Sequence, residues 1–230
     1  MSIWTNIGVA LSAIGTGGAQ LIDWLGGLVS PIEDGRRTVA FTVAMIAISA
    51  KMAKADGVVT ADEVLAFRDI FDIPPGEERN VSRLYDLAKQ DVAGYETYAR
   101  RVVELFPEDQ DTLIDILDGL FHIAKADGLI HESEMAFLSR VAEIFDIGSR
   151  CFNQIKARHV SEGSDPYLVL GIEPDASDEA VKKRHRMLVV ETHPDRMIAR
   201  GVPEEFVRIA QDRLVALNLA WEKISAERRL

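Results

Sequence analysis

The chain has 230 residues, of which 47% are hydrophobic, and a formal net charge of −11 at pH 7. This length and hydrophobic content predict a sizeable core and two domains, whereas the negative charge argues against a general nucleic-acid binder. The single cysteine, Cys151, excludes an intramolecular disulfide and a zinc module built on paired cysteines, and it fits a reducing, cytoplasmic compartment.

The first predicted element is an apolar segment over residues 1–30, which carries no charged side chain before Asp23. Its glycines and polar residues make it a poor membrane-spanning helix, although its leucines and isoleucines recur with helical spacing. We therefore expect residues 1–29 to form an amphipathic segment that lies on a membrane or on the rest of the protein. A cleavable signal is not expected, because the segment has no basic start.

Residues 31–160 show helical periodicity, and we predict an all-α bundle for them. The apolar stretch at residues 38–50 is too short to cross a membrane and predicts a helix buried inside the bundle. Two further helices are expected over about residues 77–90 and 94–106, because prolines bound both segments.

The bundle region contains an internal repeat, because Lys-Ala-Asp-Gly occurs at residues 54–57 and again at 125–128. Each copy predicts a helix, a turn with a left-handed glycine, and a second helix capped by a glutamate. Four carboxylates could bind a divalent cation if the copies pack about a pseudo-twofold axis: Asp56, Glu63, Asp127 and Glu134. The flanking residues lack the alternating oxygen ligands of an EF-hand loop, so turn formation and capping are the preferred explanation. We expect no cofactor, with the divalent cation as the alternative.

The C-terminal region, residues 161–230, begins with two predicted helices. Asp165 caps a short helix that ends at Gly171, and Ser177 caps a second helix that runs to about Thr192. The second helix has a positive side that is separate from its apolar stripe. The exposed cations predicted there are Lys182, Lys183 and Arg186.

The segment His193-Pro194-Asp195, called the tripeptide below, follows this basic helix. Pro194 disfavours helical geometry at His193, so the helix should end there and a loop should begin. The last helix is expected to begin at residues 203–205 and to continue its apolar stripe to the end of the chain. The two long helices can then pack antiparallel, with the tripeptide at the tip of their hairpin.

The C-terminal region resembles a J-domain, the module by which DnaJ-type co-chaperones engage DnaK-type chaperones. The matching features are Asp165-Pro166-Tyr167, Leu170-Gly171, the basic helix with the tripeptide, and Asn218-Leu219-Ala220-Trp221-Glu222. Residues 196–205 are further similar to the longer loop of the DjlA branch. The chain carries His185 and Trp221 at positions where many J-domains have tyrosine.

The doubled Lys-Ala-Asp-Gly motif resembles the TerB-like domain named for tellurite resistance proteins, which precedes a J-domain in the DjlA architecture. The two resemblances imply a co-chaperone that is not itself an enzyme. Its tripeptide and basic helix would bind a DnaK-type chaperone and stimulate ATP hydrolysis by that partner, while the TerB-like domain directs an unidentified client or the location. Two alternatives stay open: a TerB-like metal-binding stress-response protein with a degenerate J-like tail, and a passive membrane scaffold.

Overall fold

The computed structural model describes residues 7–8, 23, 34–56, 73, 75–90, 94–126, 128–159, 164–200, 202 and 206–230. These residues form ten helices and contain no strand, which confirms the predicted all-α fold. In chain order the helices are α1 (Asp34–Asp56), α2 (Glu78–Gln90), α3 (Tyr95–Leu105), α4 (Gln110–Ala124), α5 (Glu132–Ile144), α6 (Ser149–His159), α7 (Pro166–Leu170), α8 (Asp178–Glu191), α9 (Pro194–Ala199) and α10 (Val207–Arg228).

Helix α1 lies at the centre of the first bundle and packs against α2, α3, α4 and α5. Every residue from 39 to 53 is buried, as expected for a helix that is apolar on all sides. The hydroxyls of Thr42 and Ser49 donate to the backbone carbonyls four residues earlier, at 3.1 and 2.7 Å, so their burial leaves neither hydroxyl unsatisfied. The buried helix predicted for residues 38–50 is therefore confirmed.

The second copy of the repeat forms α4, a turn and α5. Gly128 has a φ of +96°, the left-handed conformation predicted for the turn glycine. At the start of α5, the backbone N–H of His131 donates to the carboxylate of Glu134 at 2.8 Å. Glu134 therefore has the capping role predicted for it. The turn of the first copy lies outside the described residues.

A second core joins α7, α8 and α10. The backbone N–H of Tyr167 donates to the Asp165 carboxylate at 2.9 Å, and Gly171 ends α7 with a φ of +62°. The backbone N–H of Ala180 donates to the Ser177 hydroxyl at 3.3 Å. The caps predicted for the first two helices of the C-terminal region are confirmed.

Helices α8 and α10 pack against each other in antiparallel directions. Arg228, at the end of α10, binds Asp178 at the start of α8, with 3.1 Å between nitrogen and oxygen. Farther along, the His185 Nε2 atom lies 3.0 Å from the Asn218 Oδ1 atom. This order of contacts places the tripeptide at the tip of the hairpin, as predicted.

The loop predicted after the tripeptide is wrong over residues 194–199, which form α9. A proline suits the first position of a helix, because its missing N–H would have no partner there. His193 is the N-cap residue, and its Nδ1 atom accepts the backbone N–H of Asp195 at 3.2 Å. The expected end of the preceding helix is confirmed, since α8 ends at Glu191. Residues 203–205 lie outside the described residues.

Most of the N-terminal segment also lies outside the described residues. Ile7 is buried in the core of the first bundle, whereas Asp23 is exposed. The expected membrane contact of residues 1–29 stays a prediction. Within the described ranges, no helix combines the length and the apolar character needed to cross a bilayer.

Candidate functional site

The tripeptide lies at the start of α9, with its two polar side chains in solvent. The Nδ1 atom of His193 accepts the backbone N–H of Asp195, so the neutral ring carries its hydrogen on Nε2. The same Nδ1 atom lies 3.5 Å from the Asp195 carboxylate, and the two side chains are 55% and 85% exposed. A partner can therefore reach both groups without any rearrangement of this chain.

The basic residues of α8 divide into two groups. Lys182, Lys183 and Arg186 are exposed, as predicted. Arg184 instead turns inward, and its Nε atom donates to the backbone carbonyl of Leu170 at 3.0 Å. Three cations thus form an outward positive surface, while the fourth ties α8 to α7.

Further exposed residues occur on α8 and α9 that the motifs had not singled out. Arg196 adds a cation to α9, while Met187, Val190 and Ile198 are large apolar side chains at least 40% exposed. Apolar side chains bordered by charges are typical of protein-binding surfaces. We call the tripeptide and the exposed cations of these two helices the docking face. They are Lys182, Lys183, Arg186, His193, Pro194, Asp195 and Arg196.

The two positions that depart from tyrosine contact each other between α8 and α10. The rings of His185 and Trp221 stack with their centroids 5.0 Å apart and their planes 10° apart. The histidine also contacts Asn218 on α10. The two departures therefore form one packed pair between α8 and α10.

The four carboxylates considered for a divalent cation do not form a described site. Glu134 is engaged in capping α5, Asp56 is the last residue of α1, and Glu63 and Asp127 lie outside the described residues. No cluster of three or more histidine, cysteine, aspartate or glutamate residues suited to a metal occurs in the part of the chain that the structure describes. The cation alternative stays a prediction.

A buried group of charged residues, absent from the sequence predictions, joins the first bundle to α9 and α10. Asp115 and Asp118 lie on α4, Arg158 and His159 lie on α6, and Arg200 and Arg213 belong to the C-terminal region. We call these six residues the ionic cluster. The only sequence signal for it is a pair of aspartates three residues apart within the apolar stripe of α4.

Asp118 lies at the centre of the ionic cluster. Arg213 donates to its carboxylate through Nε at 2.8 Å, Arg158 donates at 3.2 Å, and the Nε2 atom of His159 lies 2.9 Å away. Burial acts to raise the pKa of Asp118, but Arg213 and Arg158 outweigh burial and hold that pKa well below its usual range. Burial raises the pKa of the neighbouring Asp115, which Arg213 and Arg200 oppose only in part.

Cys151 does not have the properties of a catalytic nucleophile. It is half-buried and unpaired, and burial raises the pKa of its thiol. A raised pKa keeps the thiol protonated near neutral pH, and the thiolate is the reactive form.

Comparison with known families divides the chain at the junction between α6 and α7. The family described as tellurite resistance protein TerB matches residues 42–157, and the DnaJ domain matches residues 165–225. The first match covers α1 to α6 almost completely, and the second covers the α8–α10 hairpin with the tripeptide.

Of three related proteins, two match most of the chain. A protein named co-chaperone protein DjlA from Photobacterium profundum is 26% identical over 221 residues, which span 84% of this chain and 79% of the relative. The protein of the same name from Aliivibrio fischeri is also 26% identical, over 84% of this chain and 80% of the relative. The protein of that name from Shewanella oneidensis is 30% identical over 118 residues, 46% of this chain and 45% of the relative.

No solved structure matches the chain. The family assignment therefore depends on the two domain matches and on their order. Because the first match covers half of the chain, the protein belongs to the TerB family, and its TerB domain is followed by a DnaJ domain.

Proposed function

We propose that this protein is a J-domain co-chaperone that binds a DnaK-type chaperone and stimulates its ATP hydrolysis. The observation that carries the proposal is the exposed tripeptide at the tip of the α8–α10 hairpin, within the segment matched by the DnaJ domain. The relatives named co-chaperone protein DjlA support the same assignment.

Catalysis belongs to the partner in this proposal. The docking face supplies binding free energy that favours the hydrolysis-competent conformation of the chaperone, because a ligand shifts a conformational equilibrium towards the state it binds better. The exposed cations would meet an acidic surface, where complementary charge accelerates encounter and orients the complex. The TerB domain would direct a client or the location of the complex in the cytoplasm.

Replacing His193 with glutamine tests this function. We expect the intact protein to accelerate single-turnover ATP hydrolysis by the DnaK-type chaperone of the same organism, and the variant to lose that acceleration. The physical reason is that the substitution removes the imidazole ring from an exposed position without disturbing a buried contact. The measurement is the single-turnover rate at a series of co-chaperone concentrations.

His131→Gln is the matched control for this experiment, because His131 is exposed in the TerB domain and far along the chain from the tripeptide. It should stimulate hydrolysis as the intact protein does. Equal stimulation by the intact protein and His193→Gln would contradict the role of the tripeptide, and no stimulation by the intact protein would contradict the proposed function itself.

A charge reversal on α8 tests the cationic part of the docking face. We expect Lys182→Glu to raise the concentration for half-maximal stimulation about three- to tenfold at low salt, and less at high salt, because the interaction is between screened surface charges. Lys223→Glu, an exposed lysine on α10, gives the same change in net charge and should have little effect. Equal increases in the half-maximal concentration for the two variants would contradict a specific role of the α8 cations.

A further inference from the structure

Described residues at the end of α9 and just before α10 pack into the TerB domain instead of into the core of the DnaJ domain. Met197, Val202 and Phe206 are almost completely buried, and all three belong to the core that contains α1 and α4. The core shared by α7, α8 and α10 contains none of them. These three residues, which follow the tripeptide, are therefore anchored in the other domain.

Phe206 makes the most specific of these contacts. Its ring meets Phe41 of α1 edge to face, with centroids 4.9 Å apart and planes 80° apart. The ring also approaches Gly119 of α4, where a Cβ atom would overlap the Cζ atom of Phe206. A glycine inside a helix is unfavourable by itself, so the close approach of the ring explains why this position of α4 suits glycine.

A polar contact holds the C-terminal end of α9. Arg200, the residue that ends this helix, places its Nη2 atom 2.5 Å from the buried Asp115 carboxylate of α4. The Nη1 atom of Arg200 lies 3.4 Å from the carboxylate of Asp111, which is also on α4. Because α9 has six residues and is about 9 Å long, a fixed C-terminal end constrains the direction in which the tripeptide points.

This anchoring leaves the docking face open. His193 and Asp195 are more than half exposed, and Arg196 on the same helix is exposed as well. The buried side of α9 is its Met197 side, which meets the TerB core. The arrangement therefore presents the tripeptide to a partner and does not cover it.

We propose that the TerB domain positions the tripeptide through Arg200 and Phe206, which act as positioning residues for the docking face. The inference rests on the proposed co-chaperone function. In the intact chain, α9 is held in one orientation before the partner arrives. A chain with α9 released would have to order it during binding, and the apparent affinity would fall by the fraction of molecules that present the tripeptide correctly.

The test compares full-length variants that release α9 with one that does not. Arg200→Gln removes the charged contact with Asp115, and Phe206→Leu reduces the ring contact with Phe41 while keeping an apolar side chain. Arg100→Gln is the matched control, because Arg100 is exposed on α3 and pairs with Glu96 of its own helix. Two quantities are measured for each: the stimulation curve with the DnaK-type chaperone, and hydrogen exchange of residues 194–202 without it.

We expect Arg200→Gln to raise the half-maximal concentration about tenfold and to leave the maximal rate unchanged. Amide exchange should accelerate within residues 194–202, while exchange in α1 and α8 stays as in the intact protein. Phe206→Leu should give the same pattern, and Arg100→Gln should match the intact chain. The split between half-maximal concentration and maximal rate distinguishes positioning from general unfolding, which would accelerate exchange throughout.

Two results would overturn the inference while the co-chaperone function stands. In the first, both variants accelerate exchange in residues 194–202 but stimulate the chaperone as the intact protein does. In the second, neither variant changes the exchange of this segment. Failure of the intact protein to stimulate hydrolysis would overturn the proposed function, and the positioning role with it, whatever the exchange data show.

Discussion

Replacing Asp118 with alanine is expected to lower the free energy of unfolding by about 3–5 kcal/mol. The carboxylate is buried and ionised, with its pKa held well below the usual range despite its burial. Its removal leaves Arg213 and Arg158 buried with one counter-ion fewer, and it removes the hydrogen-bond partner of His159 Nε2. Leaving a buried charge without its partner lowers the free energy of unfolding much more than losing an exposed ion pair does.

Urea unfolding of the intact protein and the variant measures this effect. Asp111→Ala is the matched control, because Asp111 is 69% exposed and lies 3.4 Å from Arg200 in a surface pair. It should change the free energy of unfolding by about 0.5 kcal/mol or less. A loss of less than about 1 kcal/mol for Asp118→Ala would contradict the central role of this carboxylate.

Acidification from pH 7 to pH 5 is expected to lower the stability of the intact protein by about 2 kcal/mol through His122. This residue lies on α4, with its Nδ1 atom 3.5 Å from the Asp212 carboxylate on α10. Burial lowers the pKa of His122 from 6.5 to about 4. Between these two values the unfolded chain binds a proton that the folded chain does not, so stability is full above pH 6.5 and decreases towards pH 4.

The pH range of this effect, rather than its direction, separates His122 from Asp118 of the ionic cluster. The pKa of Asp118 lies well below 3.8 in the folded protein, so its stabilising contribution is constant between pH 5 and pH 7 and is lost only in stronger acid. Burial also lowers the pKa of His159, which adds to the destabilisation at acid pH in the same direction.

Chemical unfolding at pH 7, 6 and 5 checks the prediction in three chains. His122→Gln should lose much of the pH dependence of the intact protein, because glutamine does not titrate. His131→Gln should keep it, because this variant leaves His122 in place. If His122→Gln and the intact protein show the same slope, then His122 is not the group that couples protonation to folding.

The helices and their ends could be predicted from the sequence because their signals are local. Asp165 with Gly171, and Ser177 at the start of α8, act within one helical turn, and the structure has the predicted caps. The loop after the tripeptide was mispredicted for a related reason. Pro194 ends the preceding helix and also suits the first position of a new one, and only the second effect explains α9.

The partners of buried residues could not be predicted in the same way. An apolar stripe indicates that Phe206 is buried, but its spacing does not say that the ring lies beside Phe41 and Gly119 of another domain. The ionic cluster was missed for the same reason. Asp118 and Arg213 are 95 residues apart in the chain, and nothing in the spacing of either residue identifies the other.

The docking face contains residues that the sequence predicts and lies next to a contact that the sequence does not predict. The tripeptide and the three cations of α8 could be named from motif and helical spacing, and the structure leaves all of them accessible. The inward turn of Arg184 depends on the position of the Leu170 carbonyl at the end of α7. That position is a property of how two helices pack, so the sequence of α8 alone could not identify the carbonyl that Arg184 contacts.

The insertion of Phe206 beside Gly119 constrains how such chains can be recombined. Cutting the chain between α6 and α7 separates the two matched domains in sequence. The cut would also remove the residues of the first domain against which Met197, Val202 and Phe206 pack. A transplanted C-terminal segment would then carry an apolar patch into its new host and favour aggregation there. A chimaera that carries this C-terminal segment is therefore expected to stay soluble only if it also keeps the α1 and α4 surface that covers the patch.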